Sequence, residues 1–245
     1  MVGDELTLSK IGIITFHSAY NYGSVLQAFA TQTFIKKLGS ENEIINYRLD
    51  EQRRVYSNLR FNYGYKEFIK DLSLLPIYGR RNIRKEKFET FLFENIDASD
   101  ICRTPEDVRK IWDKYPTIIS GSDQIWNKHS LELEHIDWNF MDPYLLKGYH
   151  GKKISYASSI ANMNDWEIKR ILPEINDFAL LSMREETSAK KVSNYLKRNV
   201  ISVLDPTFLL TKEEWIQTLH LNRDNKKFIL FYSLHGITKF NKIKN

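Results

Sequence analysis

Residues 10 to 48 constrain the fold more than any other stretch, because within them the hydrophobic spacing changes from that of a strand to that of a helix and back. Ile11, Ile13, Ile14 and Phe16 form a short β-rich apolar run, as a parallel strand buried on both faces requires. The run ends in His17-Ser-Ala-Tyr-Asn-Tyr-Gly23, a loop of turn formers and small polar groups. From Tyr22 the spacing becomes 3.6, so that Tyr22, Val25, Leu26, Phe29 and Ala30 share one helical face, and Gly39 after Leu38 is a C-terminal stop. Ile44, Ile45 and Tyr47 then make a second strand, and the whole stretch reads as one βαβ unit.

The alternation resumes further on. Thr117-Ile-Ile-Ser120, Lys153-Ile-Ser-Tyr-Ala157, Ala179-Leu-Leu-Ser-Met183 and Val200-Ile-Ser-Val-Leu204 read as strands, while Asp165 to Leu172, Glu185 to Leu196 and Lys212 to Leu219 read as helices. This pattern predicts an α/β fold with a Rossmann-like, open, mostly parallel sheet. Residues from about 50 to 110 are polar, aromatic and helical in tendency, and are expected to form an insertion. A further strand-like run, Lys227-Phe-Ile-Leu-Phe-Tyr-Ser233, follows the polar segment Asn222 to Lys226.

Composition narrows the class. With 245 residues, 42% of them hydrophobic, and with 13 Tyr and 14 Phe, the chain can fill a core and is unlike a disordered one. The formal charge of +5 is a mild preference for anionic partners, without the interleaved basic and aromatic stripe of a nucleic-acid binder. The densest basic run, Arg80, Arg81, Arg84, Lys85 and Lys87, alternates with Ile83, Phe88, Phe91 and Leu92 as a helix with one solvated basic face would. Cys102 is the sole cysteine, which rules out an internal disulfide and agrees with a reducing compartment. Met1 to Lys10 carry no apolar signal core, and no stretch approaches the roughly 18 apolar residues of a spanning helix. A cytoplasmic protein is expected, without a transmembrane segment and with room for peripheral membrane contact.

Ligands of open α/β sheets bind at the carboxyl ends of the strands, beside helix N-termini. Three segments fall there: the loop His17 to Gly23, then Gly121-Ser-Asp-Gln-Ile-Trp-Asn127, and Ser182-Met-Arg-Glu185. Taken singly, each has a plainer explanation, since a glycine after a strand is commonly just a turn, Trp126 fits a core, and Arg184 can pair with Glu185 or Glu186. Asp205-Pro206 reads as a strand closure. The chain has no dinucleotide or phosphate-loop glycine pattern and no GxSxG elbow, and its six histidines make no HExxH, so no metal site is expected.

Taken together, five ordered motifs resemble the polysaccharide pyruvyl transferase family over about residues 10 to 210. They are Ile11-Gly-Ile-Ile-Thr-Phe-His17 running into Asn21-Tyr-Gly-Ser-Val-Leu-Gln-Ala28, then Gly121 to Asn127, Ser155-Tyr-Ala-Ser-Ser159, Ser182-Met-Arg-Glu-Glu186 and Leu204-Asp-Pro-Thr-Phe-Leu-Leu210. The resemblance implies the first lobe of a GT-B-like two-lobed transferase, with phosphoenolpyruvate as donor substrate, no cofactor, and a glycan or lipid-linked sugar as acceptor. It implies Arg184 as a contact to the donor anion and Asp123 as the group that orients or deprotonates the acceptor hydroxyl. His17, Asn21, Gly23, Gly121, Ser122 and Gln124 are then expected to bind substrate, with Trp126 as a sugar-stacking surface.

Members of that family continue through a second lobe bearing a Ser-Phe-His-Gly-like stretch, for which His235-Gly236 is no substitute. The expected organisation is a first lobe over residues 1 to 225, with the insertion at about 50 to 110, and the start of a truncated second lobe at 226 to 245. Two rival functions stand beside the transferase: a nucleotide-sugar glycosyltransferase, and a non-catalytic fragment that binds glycan or a partner protein.

Overall fold

The computed structural model describes residues 10–50, 78–222 and 227–229. The expected insertion therefore falls partly outside the described residues, at 51–77, and so do most of the strand-like run beginning at Lys227 and the expected second-lobe start at 226–245. Two compact units are formed, residues 1–210 and 211–245. Among the described residues of the second, helix α6 (Lys212–Thr218) opens on a capping box between Thr211 and Glu214.

Strands β1 (Ile11–Ile14), β2 (Asn42–Ile44), β3 (Thr117–Asp123), β4 (Lys152–Ser158), β5 (Ser182–Met183) and β6 (Ile201–Ser202) form one sheet in the order β2-β1-β3-β4-β5-β6. Every pairing is parallel. The centre is longest because β3 and β4 run in register for seven residues each, from Thr117 beside Lys152 to Asp123 beside Ser158. Toward β5 the ladder thins for a chemical reason. Ser155 and Ser182 exchange side-chain bonds with each other's backbone, Ser155 Oγ donating to the Ser182 carbonyl at 2.8 Å and Ser182 Oγ to that of Ser155 at 2.7 Å. These replace regular ladder bonds, so the expected strand over 179–183 narrows to two residues flanked by a bridge from Leu180 to Ile154.

Helix α1 (Tyr22–Lys37) follows β1 and is capped by Asn21, whose Oδ1 accepts from the Gly23 amide at 2.8 Å. It ends where the sequence predicts, with Gly39 in the left-handed region at φ +83°. Its buried surface is wider than one apolar face, because Gln27, Thr31 and Gln32 are inside as well and are hydrogen-bonded there. Tyr22, placed on the buried face by spacing alone, is 61% exposed.

The described part of the expected insertion packs onto this same unit. Helix α2 (Tyr78–Asn95) sets Phe91 against Phe29 and Phe88 against Tyr22. Ala98 and Cys102 then form parallel bridges to Ile44 and Tyr47, which extends the β2 edge before helix α3 (Pro105–Ile111). Helices α4 (Asp165–Asn176) and α5 (Glu186–Leu196) are the remaining crossovers, each amphipathic with Ile168, Ile171 and Ile175 or Ala189 and Val192 inward. The core between sheet and helices is rich in rings: Phe16 meets Tyr144 edge-on at 5.1 Å, and Trp126 meets Phe178 at 5.4 Å.

Candidate active site

The strand order reverses between β1 and β3, because the chain steps outward from β1 to β2 and then returns to lay β3 on the other side of β1. In open α/β sheets that reversal opens a crevice at the carboxyl ends of the two central strands. The residues found there are Ser24, in the first turn of α1, and Asp123, the last residue of β3. Ser24 Oγ donates to Asp123 Oδ2 at 2.5 Å, while the Gln124 amide donates to Asp123 Oδ1 at 2.8 Å. Two neutral donors thus hold the carboxylate. No cation is paired with it among the described residues.

The backbone around this pair is held from below. Thr15 Oγ1 donates to the Ser122 carbonyl at 2.8 Å and accepts from Gln27 Nε2, which also donates to the Ser24 carbonyl at 2.9 Å. The end of β1, the end of β3 and the first turn of α1 are thereby tied into one buried polar cluster, in which Gln27 Oε1 has no hydrogen-bond partner among the described residues. Asp123 itself sits at φ +79°, and Ala157 on the neighbouring strand at φ +55°. Left-handed conformations at non-glycine residues cost of order 1–3 kcal/mol and concentrate at functional sites.

Along the same edge lies a second group. Ser122 Oγ donates to Asp205 Oδ2 at 3.3 Å, Arg184 Nη1 reaches the same oxygen at 3.4 Å, and Arg184 Nε reaches Glu185 Oε1 at 3.2 Å. Ser159 Oγ donates to that Glu185 oxygen at 2.8 Å. The other oxygen of Asp205, Oδ1, accepts from the Thr207 amide and hydroxyl and so caps the 3₁₀ turn Pro206–Leu209. Arg184 is therefore paired, as its plainer sequence explanation had it, but its side chain remains 29% exposed. Asp205 and Glu185 thus set two carboxylates against this guanidinium, and Asp123 is a third on the same edge without a contact to it.

The model of the polysaccharide pyruvyl transferase family matches residues 21–242. The chain belongs to that family. A search of curated proteins and a search of solved structures each returned no match. As a pyruvyl transferase the chain is an enzyme of the transferase class, and its acceptor is a polysaccharide.

In this transferase the residues singled out in the sequence fall into two sets. Asn21, Gly23, Asp123, Gln124 and Arg184 lie exposed or half-buried at the strand-end edge. Gly121 and Ser122 lie within β3 and are buried, so Gly121 is a strand residue and no turn, and Ser122 acts on Asp205. Trp126 is 0% exposed: its Nε1 donates to the Tyr144 carbonyl at 2.9 Å and its ring faces Phe178, which leaves no face for a sugar. That expectation is corrected, because an indole following a short turn folds back under the sheet edge, where its apolar area is worth more.

His17 is likewise an interior residue, 1% exposed. Its Nε2 lies 2.9 Å from Asn46 Oδ1, which also accepts from Arg48 Nε, so the ring donates there. Burial and the nearby Arg48 charge push its pKa down to about 4, which keeps the imidazole neutral. Arg48 continues to Glu89 at 2.9 Å, and Tyr20 donates to the same carboxylate. Burial opposes ionisation of Glu89, but these two donors hold its pKa below the ordinary value. The whole chain of groups fastens the loop after β1 to α2. The substrate-contact expectation for His17 is thus replaced by a positioning one.

Ser24, Gln27, Ser159, Glu185 and Asp205 are residues of this candidate edge that the sequence did not single out as site residues. Ser24 had a signal, since it lies three residues after the cap of a helix whose N-terminus must face the strand ends. Asp205 was marked only by its motif and its strand-closing turn, and nothing local says that its carboxylate reaches Ser122, 83 positions earlier. No group of three or more His, Cys, Asp or Glu residues is arranged to hold a metal among the described residues, and no described helix is long and apolar enough to cross a membrane.

Proposed function

We propose that this transferase moves the pyruvyl group of phosphoenolpyruvate onto two hydroxyls of a sugar in a cell-surface polysaccharide, forming a ketal. The observation that carries the reading is Asp123 at the switch point, ionisable, without a cationic partner among the described residues, and fixed by Ser24 and the Gln124 amide. A carboxylate so held can take a proton from an acceptor hydroxyl. The donor's methylene carbon gains a proton, the resulting oxocarbenium-like carbon is attacked by the first hydroxyl, phosphate leaves, and the second hydroxyl closes the ketal. One diol and one phosphoenolpyruvate thus yield one ketal and one phosphate.

The donor is anionic, and Arg184 is its proposed contact. Two of its nitrogens are engaged by Asp205 and Glu185, which orients the planar fork and leaves Nη2 for a carboxylate or phosphate oxygen. Three carboxylates on this edge repel the same anion, so Arg184 alone is too weak a donor site. Further N–H donors are supplied by the N-terminus of α1 and, in the two-lobed GT-B-like arrangement that we propose, by a second lobe.

The test is to incubate the chain with phosphoenolpyruvate and a glycan carrying a free diol, and to measure phosphate release together with the mass of the glycan. Equal release of phosphate and gain of ketal are expected, both lowered about 10²- to 10⁴-fold in Asp123→Asn. Preferential binding of a sugar nucleotide over phosphoenolpyruvate, with no phosphate released, overturns the donor assignment in favour of a glycosyltransferase.

A further inference from the structure

The connection between β3 and β4 and helix α4 together carry an aromatic and polar cluster that plays no part at the strand-end edge. Trp138 and Trp166 lie edge to face at 6.2 Å, and the Arg170 guanidinium is stacked 4.7 Å from the first ring and 5.8 Å from the second. Trp166 is 63% exposed, so one ring of the cluster is open to a ligand. Arg170 makes no hydrogen bond or ion pair among the described residues, so its N–H groups are held in place by the rings yet lack acceptors there. Beside the rings lies a pocket of about 140 Å³, lined also by Asn139, Asp142, Lys147 and Glu174.

Glu174 supplies the second observation. Its Oε1 faces Lys147 at 3.6 Å, while its Oε2 is buried with no hydrogen-bond partner among the described residues. The pocket offers a guanidinium wanting acceptors, an exposed amide at Asn139, the carboxylates of Asp142 and Glu174, and the ring of Trp138, with Trp166 packed edge to face against that ring outside the lining. Hydroxyl groups on a ring with apolar C–H faces satisfy all of these at once. A hydrocarbon chain would leave the Arg170 guanidinium desolvated and without acceptors.

We propose that Trp138, Trp166, Arg170 and Glu174 form an accessory subsite for a pyranose of the acceptor glycan. It rests on the reading that this chain modifies a polysaccharide. The placement suits an extended polymer, because α4 follows β4 and so begins at the strand-end edge. Trp166 is in its first turn, and Arg170 and Glu174 follow at intervals of four on the same face. At 1.5 Å per residue the stripe runs about 12 Å away from that edge. The subsite thus grips sugars beyond the one being modified, and sets a preference for polymer over single sugars.

The experiment titrates the full chain, without donor, with hexasaccharides of a neutral glucan, a galactan and an N-acetylhexosamine polymer, read by tryptophan fluorescence and calorimetry. At least one hexasaccharide is expected to bind, and Trp166→Ala and Arg170→Ala each weaken it about tenfold or more, as loss of a stacking or charged contact does. Trp166→Phe retains most of the affinity. In turnover assays both alanine variants raise KM for the hexasaccharide while leaving kcat/KM for a simple methyl glycoside unchanged. Unchanged hexasaccharide affinity in both variants, even with a lowered Tm, overturns the subsite and leaves the cluster as a stitch between Trp138 and α4. Failure of the wild-type chain to bind any of the three probes overturns it equally. Because binding is read without donor, a failure of phosphoenolpyruvate turnover is recorded separately.

Discussion

Ser24 and Asp123, 99 positions apart, share a hydrogen bond of 2.5 Å at the point where the strand order of the sheet reverses. The contact joins the first turn of α1 to the end of β3, and makes Asp123 part of a fixed constellation despite its place on a loop margin. Asp123→Asn keeps the shape and both neighbours but removes the proton acceptor. Turnover is expected to fall about 10²- to 10⁴-fold with little change in Tm, measured by phosphate release.

Ser24 acts through Asp123, so its loss should cost less. Ser24→Ala is expected to lower kcat about tenfold, as one hydrogen bond to a charged group would, with KM for the acceptor nearly unchanged. Ser24→Thr keeps the hydroxyl and restores most of the rate. Equal rates for the alanine and wild-type chains would remove Ser24 from the site.

Asp205 combines two structural duties, capping the turn at Thr207 and holding Arg184 and Ser122. Asp205→Ala leaves the turn amide and the Ser122 hydroxyl without their acceptor. A loss of about 1–3 kcal/mol in urea unfolding is expected, together with weaker binding of phosphoenolpyruvate as the guanidinium loses its orientation.

Stability should depend on pH through His17. Folded, it titrates at about 4; unfolded, at the ordinary value of 6.5. Between those values the unfolded chain binds a proton that the folded chain refuses. The stabilisation is therefore complete above pH 6.5, drains away as pH falls toward 4, and changes no further below that. The difference is worth about 3 kcal/mol at most. His17→Gln should flatten this part of the pH profile, read as the difference between wild type and variant in urea midpoints.

Trp126 offers a check on the corrected assignment. Trp126→Ala empties a fully buried site and removes one of the two donors to the Tyr144 carbonyl, Ser120 Oγ remaining, so a loss of about 3–5 kcal/mol is expected. Trp126→Phe should fold and show wild-type acceptor KM, which a sugar-stacking residue would not permit.

Much of the fold was legible in the chain because parallel strands announce themselves as short β-branched runs and crossovers as 3.6-residue stripes. Ile11 to Ile14, Thr117 to Ser120 and Lys153 to Ala157 all lie in the strands where the spacing placed them, and α1, α4 and α5 are close to their expected bounds. The exceptions have local chemical causes. The reciprocal bonds of Ser155 and Ser182 shortened β5, and Gly121 to Asp123 continued β3 past the point where a glycine suggested a turn.

The amino-acid sequence alone determined the layer architecture and the family, since both depend on short patterns read along the chain, and it pointed to the strand ends as the place of the candidate site. Only the tertiary structure decided which side chains share that edge. It turned Trp126 and His17 inward, brought Ser24 to Asp123, and engaged part of the charge of Arg184 with Asp205 and Glu185. The reason is that burial and long-range hydrogen bonding are settled by contacts between residues tens of positions apart, and local periodicity carries no record of them.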